Sequence, residues 1–136
     1  MDSFNASTAN KQPATGGITI EPFDGVVTAT FSDVIVGSTK EALLLREEDH
    51  DPVFYFPVKD IYFEFLRKSP TVSHCPHKGD ASHWSVTANG EAVDDVMWAY
   101  ETPKGGVSSI AGHAAFYPKK VRIEAVDNKT DQSVAL

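Results

Sequence analysis

The chain has 136 residues, 41% hydrophobic and 23% charged: enough for one domain with its own core, and too apolar for a wholly disordered chain. Nineteen acidic residues against twelve basic ones leave a net charge of −7, which argues against broad contact with nucleic-acid backbones or anionic membranes. A single cysteine makes no intrachain disulfide, and no run approaches the ~20 apolar residues of a membrane span.

The first residues, MDSFNASTANKQPATGG, are small and polar. They lack the apolar run of a signal peptide and the arginines of a transit peptide, so the expectation is a soluble, cytoplasmic protein. Residues 1–16 read as a disordered leader, 17–126 as one domain, and 127–136 as a C-terminal tail. GITIEPF alternates polar and apolar residues, and VVTATFSDVIVGS carries β-branched residues on a period of two, so both predict strand. EALLLREE fits a helix or a strand. Strand is preferred because its neighbours are strands, and it then puts Leu43, Leu45 and Glu47 on one face. VFYF is a further short strand after a turn at DHDP.

One helix is expected, over about 57–68. Pro57 suits a first turn, Val58, Ile61, Tyr62, Phe65 and Leu66 fall on one helical face, and Ser69-Pro70 stops it. Next come TVSHC, a turn at PHKGD, SHWSVTA, a turn at Asn89-Gly90, then VMWAYE, IAGHAAFYP and KVRIEAV. About eight strands and one short helix predict a single, mainly β domain, a curled antiparallel sheet or half-open barrel. Its strand edges allow a homodimer.

YFPVKDI, CPHKGDASHWSV, WAYETP and IAGHAAFYP follow one another in an order and spacing that resembles the domain-of-unknown-function 427 family, over about residues 26–125. The resemblance implies a compact, mainly β domain. The family is sometimes labelled nucleotidyltransferase-like, without a general activity. Its pattern is matched at Glu47, Tyr55, Cys75, Lys78, Gly79, Trp98, Tyr100, Phe116 and Tyr117. This chain departs from it at His77, where relatives often carry tyrosine or tryptophan, and at His83-Trp84, which stands in place of a more usual pair of tyrosines.

Nucleotidyl transfer needs Gly-Ser followed by paired aspartates on a strand to hold metal ions. Gly37-Ser38 and Asp49-His50-Asp51 have the spacing, but Asp51-Pro52 is a turn signal. His74, Cys75, His77 and His83 are zinc-ligand types, and His77, His83 and His113 could make a three-ligand site; exposed polar residues on a β edge are the simpler reading, and no metal is expected. Cys75 is a candidate nucleophile if Lys78 or a histidine lowers its pKa, and otherwise a small packed residue. Lys78 stands out: beside Gly79 in a tight turn it can bind an anion or polarise a carbonyl, the alternative being a solvated turn lysine. Glu47, if inward, needs a cation, and Lys78 or His113 is the natural partner. Trp98 and Phe116 read first as core, whereas the hydroxyls of Tyr55, Tyr100 and Tyr117 suit a pocket wall.

Together these residues predict a small-molecule enzyme without an organic cofactor, an isomerase, lyase or hydrolase working by acid/base chemistry. Lys78, Glu47, His113 and Cys75 are the catalytic candidates, and Tyr55, His77, Trp84, Trp98, Tyr100 and Tyr117 the ligand-binding ones. The partner is then a small molecule rather than nucleic acid or membrane. A non-catalytic metabolite-binding module and a protein-interaction domain are the alternatives. Lys78→Ala is expected to abolish turnover with little change in melting temperature.

Overall fold

In a computed structural model, residues 12–13 and 17–129 are described. Eleven strands follow in chain order: β1 Gln12–Pro13, β2 Ile18–Pro22, β3 Gly25–Phe31, β4 Val34–Thr39, β5 Leu43–Glu47, β6 Val53–Pro57, β7 Leu66–Cys75, β8 Gly79–Ala88, β9 Glu91–Ala99, β10 His113–Phe116 and β11 Arg122–Asp127. They form two antiparallel sheets: eight strands in the order β1-β2-β5-β6-β10-β9-β8-β7, and three in the order β11-β3-β4. The fold is therefore mainly β, as expected, and the large sheet stays open. The leader and tail expected at the ends lie largely outside the described residues. Gln12–Pro13, within the expected leader, pairs with Ile20 and Thr19 of β2.

Alternation assigns the two faces of the large sheet. On β6, Phe54 and Phe56 pack with Val27, Ala29 and Val36 of the small sheet, while Val53 and Tyr55 face the other way. On β10, Ala114 and Phe116 join the first set and Ala115 the second. One core thus lies between the sheets. A second, containing Ile18, Ile20, Leu45, Tyr55 and Tyr100, is capped by Val107 and Ile110 from a pair of 3-10 turns at Gly105–Ile110. The second face carries the polar cluster described below.

The hairpins are set by residues that tolerate a left-handed backbone. Asn89 (φ 54°) and Gly90 (φ 77°) turn β8 into β9, and Ser32 (φ 49°) and Asp33 (φ 65°) turn β3 into β4.

The helix expected over 57–68 is absent. Its residues form 3-10 turns at Val58–Asp60 and Phe63–Phe65, and Leu66 already opens β7. The supposed apolar face is split: Ile61 is buried and bridges Gly37 of β4, while Val58 and Tyr62 are exposed. Ile, Tyr and Phe are strand formers, and pairing of Leu66–Lys68 with Trp84–Val86 overrides a short helical period. Pro70, read as a helix stop, sits inside β7, where an edge position tolerates it and the register shifts between Lys68 and Val72.

Candidate functional site

Lys78 occupies the turn between β7 and β8. Cys75 pairs with Gly79 to close the hairpin, and Lys78 N–H donates to the Cys75 carbonyl at 3.2 Å. Gly79 has φ of 112°, a backbone that side-chain-bearing residues rarely adopt. Lys104 clamps the turn from behind. Its backbone N–H donates to Lys78 O at 3.0 Å and its Nζ to Pro76 O at 2.7 Å. Held in this way, the Lys78 side chain turns inward and is buried rather than solvated.

Its Nζ meets Glu47 Oε1 at 2.8 Å and donates a longer contact to Cys75 Sγ at 3.7 Å. Glu47 ends β5 on the side of Leu43 and Leu45, as strand alternation requires. The two charged side chains are only 10% and 16% exposed. Removing either partner would strand the other in a poorly hydrated place, so the two specify each other.

The pair lies in a cleft of about 300 Å³. Leu45, Val53 and Tyr55 line it on one side, Trp98, Tyr100 and Tyr117 on the other, with Ser73, His50 and Asp51 around them. Trp98 Nε1 donates to Tyr55 Oη at 3.2 Å, its ring stands edge-on to Tyr55, and Tyr117 lies 4.4 Å from it between centroids. Burial pushes the Tyr55 and Tyr100 hydroxyls well above the ordinary tyrosine range, and Tyr117 upward as well. All three therefore stay neutral at working pH and act as hydrogen-bond groups rather than as bases.

Lys78, Glu47, Tyr55, Trp98, Tyr100 and Tyr117 thus come together, with Cys75 against the lysine. His113, His77 and Trp84 do not join them. His113 shares a face of the β10 segment with Tyr117, but four residues of strand, about 13 Å, separate them; its Nδ1 donates to Ala111 O at 3.0 Å. His77 is exposed in the turn. Trp84 packs on the inter-sheet core, edge-on to Phe63 with Lys68 Nζ 5.5 Å above its ring.

Three cleft residues are not among the sequence's cleft candidates: Ser73 is not singled out at all, and His50 and Asp51 enter only through the Asp49-His50-Asp51 spacing of nucleotidyl transfer. Ser73 lies two positions before Cys75, on the same strand face, and His50-Asp51 lies in the turn that follows the strand ending in Glu47, after two intervening residues. Alternation and adjacency point to each once Cys75 and Glu47 are placed inward.

The other chemistries are not assembled. Among the described residues no group of three or more His, Cys, Asp and Glu side chains is placed to hold a metal ion. His74 bonds Asp80 at 2.8 Å, while His83 bonds Ser73. Gly37-Ser38 belongs to β4 in the small sheet, whereas Asp49 sits in a left-handed turn between β5 and β6. Gly37 is packed against the rings of Phe56 and Phe116, each 3.5 Å from where a Cβ would sit.

A larger groove of about 470 Å³ runs along β7 from Glu64 to Thr71. Its best-placed acid is already engaged: Asp95 accepts from Ser69 Oγ at 2.6 Å and Thr71 Oγ1 at 2.8 Å.

The family described as a domain of unknown function (DUF427) matches residues 19–127. The chain belongs to that family. The match covers the described domain almost end to end and includes every cleft residue named above. No curated protein matches the chain. Among the described residues, no helix of this DUF427 domain is long and apolar enough to cross a membrane.

Proposed function

We propose that the cleft is the active site of a small-molecule enzyme that needs no organic cofactor and works by acid/base chemistry, as an isomerase, lyase or hydrolase. The observation that carries this reading is the Lys78–Glu47 pair, buried at 2.8 Å beside a cleft of about 300 Å³. A buried pair is not explained by stability alone, since apolar residues of similar volume often stabilise as well or better. A charged acid and a charged amine at a cavity wall are, however, what proton transfer at a carbonyl or enol centre requires.

In this reading Lys78 receives the substrate's carbonyl or anionic group. As Lys78 turns toward the ligand, the Glu47 carboxylate is left facing the ligand and takes up its proton. Tyr100 and Tyr117, kept neutral by burial, orient the ligand through their hydroxyls, and Trp98 with Tyr55 forms an apolar wall. Cys75 contacts the lysine and tunes its surroundings. The acidic net charge and the cleft's size favour a small metabolite in a cytoplasmic setting over a nucleic acid.

The test incubates pooled metabolites with the wild type and with Glu47→Gln/Lys78→Met, which drops both charges at nearly constant volume. Nuclear magnetic resonance follows consumption, and circular dichroism checks the fold. Consumption by the wild type alone supports the enzyme. Ligand broadening without consumption replaces it by a binding module. Equal behaviour of the two proteins overturns both readings for this cleft.

A further inference from the structure

We propose that Ser73 and His83 form a nucleophile–base pair on the cleft wall, matched to an ester or similarly activated acyl substrate. The proposal takes from the preceding reading only that the cleft admits a small molecule.

Ser73 lies on β7 and His83 on β8, and Ser73 Oγ and His83 Nε2 are 2.8 Å apart. Their exposures differ in the useful sense: Ser73 is exposed and lines the cleft, while His83 is 4% exposed. The imidazole is held by its environment. Its ring is nearly parallel to that of Tyr117, 6° between planes, and it sits on the strand position paired with Trp98. His83 Nδ1 is buried without a hydrogen-bond partner, a rare condition that a structural histidine normally avoids. With its proton on Nδ1, the ring presents the Nε2 lone pair to the serine hydroxyl. Asp95 is the acid facing His83 from β9, but both its oxygens are taken by Ser69 and Thr71. It acts on the ring through space, without contact.

Ser73 and Cys75 share a strand face about 7 Å apart. An acyl group on Ser73 therefore faces the same cleft as Lys78, which touches Cys75 and with the neutral tyrosine hydroxyls supplies donors for a developing oxyanion. In the step, Ser73 Oγ attacks the carbonyl carbon as its proton moves to His83 Nε2. The tetrahedral adduct collapses, the alkoxide leaves, and Nε2 returns the proton to it. Water then attacks the acyl-serine, giving up a proton to Nε2. The acid is released and the serine hydroxyl is restored. With no acceptor on Nδ1 the pair lacks the third member of a triad, so acylation is slow and a covalent label is the right readout.

The test treats the full chain with a fluorophosphonate probe, which bonds phosphorus to a nucleophilic serine and expels fluoride, and maps adducts by mass spectrometry. The expected result is one adduct, on Ser73. It should be absent in Ser73→Ala, at least tenfold slower in His83→Asn, and unchanged in the surface control Ser108→Ala. No adduct, adducts spread over other serines, or a Ser73 rate indifferent to His83→Asn overturns the proposal. If His83→Asn fails to fold, wild-type mapping with Ser73→Ala, an exposed position, still decides. Failed labelling leaves the Lys78–Glu47 reading standing. Labelling of a protein that turns over no metabolite removes that reading and keeps this one.

Discussion

Replacing Lys78 by methionine keeps most of its volume and removes the charge that faces Glu47. In the wild type the two side chains are 10% and 16% exposed and 2.8 Å apart. Without its cation, Glu47 must either stay ionised with little water or take up a proton. Protonation sets the ceiling: at pH 7, neutralising a carboxyl of ordinary pKa, about 4.3, costs about 3.7 kcal/mol. Residual hydration of Glu47 brings the expected loss to about 2–3 kcal/mol, a fall of roughly 10 °C in Tm. At pH 5 the ceiling drops to about 1 kcal/mol, so most of the gap to the wild type should close. Adding Glu47→Gln removes the stranded charge and should restore stability to within about 1 kcal/mol, leaving a coupling of about 2 kcal/mol in the four-protein cycle. Urea and thermal unfolding at both pH values measure this directly. Additive losses, or a Lys78→Met gap that does not narrow at pH 5, would refute the reasoning. By the same burial, Lys78→Ala is expected to lower Tm, in place of the nearly unchanged Tm expected from the sequence.

Hydroxyl bonds from Ser69 and Thr71 hold the Asp95 carboxyl below its ordinary range, and Ser82 and Lys68 do the same for Glu101. The stability these groups contribute is whole at neutral pH and is lost as pH falls from the ordinary carboxylate range, about 4, through their lowered values. Asp95→Asn should flatten that part of an acid-melting series; an unaltered slope would remove Asp95 from the account. At the alkaline end, Tyr55 and Tyr100 are raised by burial, so the unfolded chain ionises first and stability falls as pH climbs past the ordinary tyrosine value of about 10. Phenolate absorbance should lag in the folded protein, and the full signal of all four tyrosines at the ordinary pKa with the fold intact would contradict this.

Much of the sheet was legible because alternation and turn residues are local signals. The turns at PHKGD and Asn89-Gly90, and the inward side of Leu43, Leu45 and Glu47, all follow from period and turn chemistry. The segment 57–68 was misjudged because its helical period is short and its identity is settled by pairing with β8, a partner distant in sequence. Lys78 and Glu47 could be matched because one inward acid needs one cation. His113 failed as a site residue because alternation gives the face of a strand and not the position along it. Ser73 carries no signal of its own, and His50 and Asp51 read only as part of a metal-holding spacing, because a serine or a turn residue acquires meaning only from what lies opposite.

The four-residue β10 joins β1-β2-β5-β6 to the hairpin-linked β9-β8-β7, pairing with β6 on one side and β9 on the other. Tyr55 and Trp98 stand on either side of that seam. The β7-β8-β9 side can assemble from near neighbours, and the other side needs only the pairing of β2 with β5, but the two meet only after a segment beyond residue 112 has threaded between them, a non-local and therefore slow event. The cleft is thus a product of the last stage of folding. A nascent or partly denatured chain can hold most of its hairpins and still have no site. Recovery of the cleft's reactivity will then lag behind recovery of the strand signal in refolding.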